Sequence, residues 1–154
     1  MIKTIKYFFE ALTLYTFFIL IKLIGLSKSR ILFSFIFRKL GPIMRSNNTI
    51  KKNLKVFSDN ISKQKEKTIE QNMWSNYGKT FVEYMFLKKF RNENYHIDIE
   101  GKKLLDEIYV NNKPVIFISG HFANFELMSM EITKNKINLA TIYRPLNNIF
   151  LNPF

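Results

Sequence analysis

A run of 19 residues near the start, Tyr7 to Gly25, constrains this chain more than any other feature, because it carries only two charges, Glu10 and Lys22. As a helix rising ~1.5 Å per residue it would reach ~28 Å, close to the hydrocarbon thickness of a bilayer. The uninterrupted apolar stretch Ala11–Ile21 is shorter than a span needs, so both charges must lie near the interfaces, where Lys22 can snorkel. The following residues, Gly25 to Arg30, match a signal-peptidase site poorly, so the run is expected to be retained. Three placements suit it: a spanning anchor, a helix lying in the interface, or a buried core helix. Lys3 and Lys6 flank one end, and Lys28, Arg30, Arg38 and Lys39 the other. The heavier cluster is C-terminal, which assigns the body of the protein to the cytoplasmic side.

Charge is distributed with the same bias. Residues 1–60 carry 11 basic and 2 acidic side chains, whereas residues 61–154 carry 13 and 10. A hydrophobic content of 47% with 16 Phe excludes a disordered polybasic tail. The chain has no Cys, which excludes a disulfide scaffold, a Cys-ligated zinc site and a Cys nucleophile. With only His96 and His121, a multi-histidine metal site is not expected either, and no cofactor is. Nucleic acid is a poor fit, since the aromatic residues sit in apolar runs instead of interleaving with Arg. A basic, greasy N-terminal region points to an anionic membrane surface.

A second apolar patch, Ile31–Phe37, is too short to span; it suits a helix face packed in the core or resting on lipid, ended by Gly41-Pro42. Residues 46–57 predict a short helix with Ile50, Leu54 and Phe57 on one face. Residues 68–90 predict a longer one, with Met73, Tyr77, Phe81, Tyr84 and Met85 as a core stripe and Gly78 permitting close packing. Beyond Asn94 the rhythm changes. His96–Glu100 alternates like a half-buried strand ending at Gly101, with His96 a surface residue at its edge. A helix over 102–110, a turn at 111–114, a strand at Val115–Ser119, a helix over about 123–133 and a strand at 139–143 follow. Strands alternating with helices predict an α/β layer.

The chemically informative segment is Ser119-Gly-His-Phe-Ala-Asn-Phe-Glu126. His121 and Glu126 would lie about 140° apart around one helix, so they pair only if His121 precedes the helix and its ring folds back over the first turns. Such a pair has a use: the carboxylate holds the imidazole tautomer while the other ring nitrogen takes a proton from a hydroxyl. A structural histidine capping the helix is the other reading of these residues.

The segment GHFANFEL, followed by IYRPLNN at 142–148, resembles the lysophospholipid acyltransferase superfamily, specifically the late acyltransferases of bacterial lipid A biosynthesis (lauroyl/myristoyl type). The likeness is ordered along the chain, from the hydrophobic N-terminus through Lys52-Asn53-Leu54, Tyr77-Gly78 with Glu83, and Ile97–Gly101. It implies a glycerolphosphate-acyltransferase-like α/β fold: N-terminal membrane-associated helices followed by a partial mixed sheet with flanking helices. Residues 1–26 would be the membrane anchor or interfacial helix, and residues 27–154 the N-terminal part of the acyltransferase domain. The resemblance implies a catalytic dyad of His121 and Glu126, with Arg144 and Asn124 binding substrate. It implies an acyl-carrier-protein thioester as donor and a lipid A precursor as acceptor, at the inner membrane with the catalytic part on its cytoplasmic side. Where the family often has Gly and Trp, this chain has Ala123 and Phe125, so the loop geometry is expected to differ at Ala123. Relatives run to about twice this length. The chain is therefore expected to be the N-terminal part of a truncated or split protein, active when a C-terminal half completes it, or else an inactive membrane-associated module.

Overall fold

The computed structural model describes residues 2–44, 47–58, 60–142 and 144–152. Among them seven α-helices run in the order α1 (Ile2–Ile24), α2 (Leu26–Met44), α3 (Asn47–Phe57), α4 (Lys63–Glu83), α5 (Leu87–Asn92), α6 (Lys102–Asn111) and α7 (Glu126–Lys134), with a 3-10 turn at Tyr84–Phe86. The chain divides into two compact units, Ile24–Phe86 and Met1–Leu23 with Leu87–Phe154. Gly25 separates α1 from α2, and its φ of +86° is a left-handed conformation in which a side chain would be strained.

The expected α/β fold with a partial mixed sheet is overturned: helices hold 69% of the described residues and none lies in a strand. The three segments read as strands are irregular, and no described backbone hydrogen bond links one to another. Tyr143, the last residue of the third, lies outside the described residues. Ile116 and Ile118 are 88% and 90% exposed instead of covered on both faces. The physical reason is that β-rich composition reports which side chains suit a pleated surface, while the ladder itself needs a neighbour in register. A helix finds its hydrogen bonds within its own segment and forms regardless.

The unit Ile24–Phe86 is built on the antiparallel pair α2 and α4. Along it Arg30 Nε lies 3.2 Å from Glu83 Oε1, Ser34 Oγ 2.7 Å from Ser75 Oγ, and Arg38 Nη2 donates to Gln71 Oε1 at 3.4 Å. Small residues let the helices approach. A Cβ at Gly78 would run into the Phe33 carbonyl, and one at Gly41 into the Trp74 ring. The Phe33, Phe37 and Phe81 rings cluster beside this line, with Phe33 and Phe81 stacked at 5.5 Å. Close packing at Gly78 is as expected, but the core line is not the aromatic stripe. Trp74, Gly78 and Val82 are buried, Met73, Phe81, Tyr84 and Met85 half-buried, and Tyr77 is exposed. The residue that fits closest to α2 sets which face turns inward, so the larger rings flank it. Gly41-Pro42 also does not end α2, which runs two residues further to Met44. There the missing Pro N–H leaves only the Arg38 carbonyl unserved.

α4 is capped by Ser62, whose hydroxyl accepts from Lys65 N at 3.3 Å, and stops at Glu83, where the chain tightens into the 3-10 turn. The single helix expected over 68–90 is thus three pieces; at the first break the Tyr84 N–H keeps its ordinary helical partner, the Thr80 carbonyl, and shares it with that of Val82. α3 buries Ile50, leaves Phe57 exposed, and meets α4 through Lys51–Glu66 at 3.7 Å.

In the second unit α5 and α7 are in contact, Phe90 of the one and Ile132 of the other are buried, and Arg91 Nη2 donates to Thr133 Oγ1 at 3.0 Å. His96 is not a bare surface residue. Its Nε2 lies 2.6 Å from Glu93 Oε2, and its ring lies against Tyr95 and Phe90, at 4.1 and 5.2 Å between centroids. With no strand to alternate along, its ring turns back onto α5. The Tyr95 hydroxyl, ahead of the His96 bond and the Lys89 charge, holds the Glu93 carboxyl below its usual range, and Tyr95 is raised in turn.

α1 belongs to this unit up to Leu23 and carries contacts from far along the chain. Asn148 Nδ2 donates to the Tyr7 carbonyl at 2.9 Å, the Tyr15 hydroxyl donates to the Phe150 carbonyl at 2.7 Å, and the Phe8 and Phe150 rings meet edge-on. The less exposed residues Tyr7, Ala11, Leu14, Tyr15, Phe18 and Ile21 form one stripe of α1. Ile5, Phe9, Leu12, Ile19 and Leu23 are apolar and exposed. Among the described residues α1 is the one helix long and apolar enough to cross a membrane, and this suggests membrane association.

Candidate active site

The site is local. Residues 115–122 run as irregular backbone, and α7 starts at Glu126, three residues later than the sequence predicts. Ala123 accounts for the delay. Its φ of +47° is left-handed, so the helix cannot include it, and the turn into α7 is made by the Asn124 and Phe125 carbonyls, which accept from Leu127 and Met128, three residues on, at 3.2 Å.

His121 therefore precedes the helix and Glu126 opens its first turn, the order that pairing requires. Both side chains are exposed, while Asn124 between them is buried. The His121 ring lies on Phe125, 4.3 Å between centroids. The N-cap residue of α7 is Phe125, with no side-chain cap bond, so the capping role considered for His121 finds no counterpart here. The Phe125 contact was missed in the sequence; the only signal for it is an aromatic four residues after the histidine.

Arg144 lies on irregular backbone, exposed, eighteen residues beyond Glu126, and no described contact brings it to His121. Its neighbour Tyr143 is outside the described residues. The Tyr-Arg-Pro segment is held at its far end instead. Asn148 is buried, donates to the Tyr7 carbonyl, and accepts from Phe150 N at 3.1 Å. Asn148 closes the IYRPLNN stretch, so the motif marked the residue, but its partner on α1 was not legible. A cavity of about 1020 Å³ lies along α7, lined in part by Met128, Ile132, Val115 and Leu139, and none of the four candidate residues lines it. Among the described residues no group of three or more acidic or histidine side chains is placed to hold a metal ion.

A protein-family model for the bacterial lipid A biosynthesis acyltransferases matches residues 2–153. The chain belongs to this family. Searches of curated proteins and of solved structures give no match to it. The match runs through both units, from α1 past Arg144, so the His121 loop and the IYRPLNN segment fall inside it. Family membership assigns acyl transfer in lipid A biosynthesis in general terms, with a lipid A precursor as the substrate class.

Proposed function

We propose that this site transfers a fatty acyl chain directly from an acyl-carrier-protein thioester to a hydroxyl of a lipid A precursor. His121 takes the hydroxyl proton as the oxygen attacks the thioester carbonyl. The C–O bond forms, the C–S bond breaks, and sulfur leaves as a thiolate that His121 can then protonate. With no Cys in the chain, a cysteine-bound acyl intermediate has no nucleophile. Glu126 orients the ring, while Arg144 and Asn124 bind the acceptor, Arg144 through charge-assisted bonds to phosphate. The observation that carries this reading is the placement of an exposed histidine in the loop that leads into a helix opened by an exposed glutamate, inside a chain of this family. Catalytic hydrogen bonds of free enzymes commonly tighten only when substrate binds.

Residues 1–26 form the membrane element and residues 27–154 the acyltransferase part, at the inner membrane and facing the cytoplasm. α1 lies in the plane of the interface. Its Tyr7 and Tyr15 are bonded to the segment that follows Arg144, and a spanning α1 would draw that polar backbone into hydrocarbon. An inactive membrane-associated module is the second reading, favoured by the His121–Phe125 contact.

The deciding measurement is acyl transfer from acyl-carrier protein to a lipid A precursor, with this chain and with any longer natural form of it. General-base assistance contributes ~10²–10⁴-fold, so His121→Ala should lower turnover by that factor and leave membrane attachment intact. Near wild-type turnover in His121→Ala would sink the mechanism, and inactivity of every form would favour the module.

A further inference from the structure

Within the unit Ile24–Phe86, α2 and α4 leave a groove of about 510 Å³ lined by Ser27, Arg30, Ile31, Ser34, Phe35, Arg38 and Lys79. No family motif and no contact of the candidate active site uses it. Its charge is one-sided: three cations line it and no carboxylate does. Glu83, almost enclosed, answers Arg30 from the side. Arg38 is held only by a long bond to the neutral Gln71 amide, and Lys79 makes no ion pair among the described residues. The surroundings deepen the field, since residues 24–86 carry 12 basic and 4 acidic side chains. Beside the cations the wall is apolar and open to solvent, with Ile31 74% and Phe35 61% exposed and Lys39 Nζ 5.9 Å from the Phe35 ring.

We propose that this groove binds one anionic phospholipid, its headgroup phosphate between Arg38 and Lys79 and the start of an acyl chain along Ile31 and Phe35. A small soluble phosphate ester would use the cations and leave two large apolar side chains in water. A lipid at a bilayer surface uses both. Five lining residues, Arg30, Ile31, Ser34, Phe35 and Arg38, recur at i, i+1, i+4, i+5 and i+8 on α2, so cations and apolar contacts share one strip of helix. Gly78 and the Ser34–Ser75 bond hold α4 close enough for Lys79 to reach that strip. The proposal rests on membrane association of the chain and is independent of the chemistry at His121.

The test is flotation of the full chain with vesicles of pure phosphatidylcholine and with vesicles containing a third phosphatidylglycerol. Each basic residue near an anionic surface contributes ~1 kcal/mol, so Arg38→Gln with Lys79→Gln should lower partition onto the anionic vesicles by roughly 10- to 30-fold. Removing two charges from α3 instead, with Lys52→Gln and Lys55→Gln, should have a clearly smaller effect. Ile31→Ser with Phe35→Ser, both exposed positions, should also weaken anionic binding without any change of charge. Binding to phosphatidylcholine through α1 should be unchanged in all three.

Equal losses from the two charge pairs would mean diffuse surface attraction and overturn the groove. Indifference to Ile31→Ser with Phe35→Ser would overturn the acyl contact, and displacement by millimolar inorganic phosphate at constant ionic strength would make it a phosphate site. A full chain that floats with neither vesicle would reject membrane association as well. A full chain that floats with both, while Arg38→Gln with Lys79→Gln behaves as wild type, would reject the groove alone.

Discussion

Ala123 holds a left-handed backbone, φ +47°, four residues after the irregular 115–119 segment and three before α7. That conformation costs an L-residue roughly 1–2 kcal/mol. Glycine adopts it freely but loses more chain entropy, about 0.5–1 kcal/mol. The balance favours glycine, so Ala123→Gly should raise stability by roughly 0.5–1 kcal/mol, read as an increase of a few degrees in Tm. A fall in Tm would show that Ala123 is relaxed where it stands. This position was legible in the sequence as the departure from the family, of the two in this loop, at which the backbone geometry is expected to differ, although the sign of φ was not. His121 and Glu126 were legible for the same reason, because a motif fixes residue identity and chain order. The ring that lies on His121 was not, since a four-residue aromatic spacing has many uses.

Between elements, the α2–α4 contact turns on Gly78. In an isolated helix Gly→Ala is favourable by about 1 kcal/mol. Here the added Cβ meets the Phe33 carbonyl, which is backbone and cannot rotate aside. Overpacking of that kind costs roughly 1–3 kcal/mol, so the contact should outweigh propensity and Gly78→Ala should destabilise. The urea midpoint should fall with the slope unchanged; a rise would mean that α2 and α4 are not in contact at this point. Helices were the readable elements because 3.6-residue periodicity and their own hydrogen bonds act within a segment. α6 lies where expected, within a residue of its end. Segments 96–100, 115–119 and 139–143 were misread because Val115, Ile116 and Ile118 report suitability for a sheet and nothing about a neighbour to pair with. Trp74 was overlooked as a core residue because the Met73, Tyr77, Phe81 stripe beside it is larger and equally periodic.

For the whole molecule, the question is how α1 meets lipid. If it lies in the interface, Lys3 and Lys28 at its two ends are on the same side of the bilayer. The chain has no cysteine, so Lys3→Cys and Lys28→Cys each give a single thiol. In sealed vesicles, an impermeant maleimide should label both from the outer face or neither. Labelling of one alone would mean that α1 spans. The bond between Asn148 and the Tyr7 carbonyl closes a separation of 141 positions. Chains are synthesised at roughly 5–20 residues per second, so Tyr7 is made on the order of ten seconds before its partner. Through that interval the stripe that Phe150 and Asn148 will later contact is as bare as the stripe opposite. Any apolar surface that can meet the nascent helix, a bilayer above all, has this head start over the protein's own fold. The order of synthesis therefore favours arrival at the membrane first and closure of α1 onto the IYRPLNN segment second.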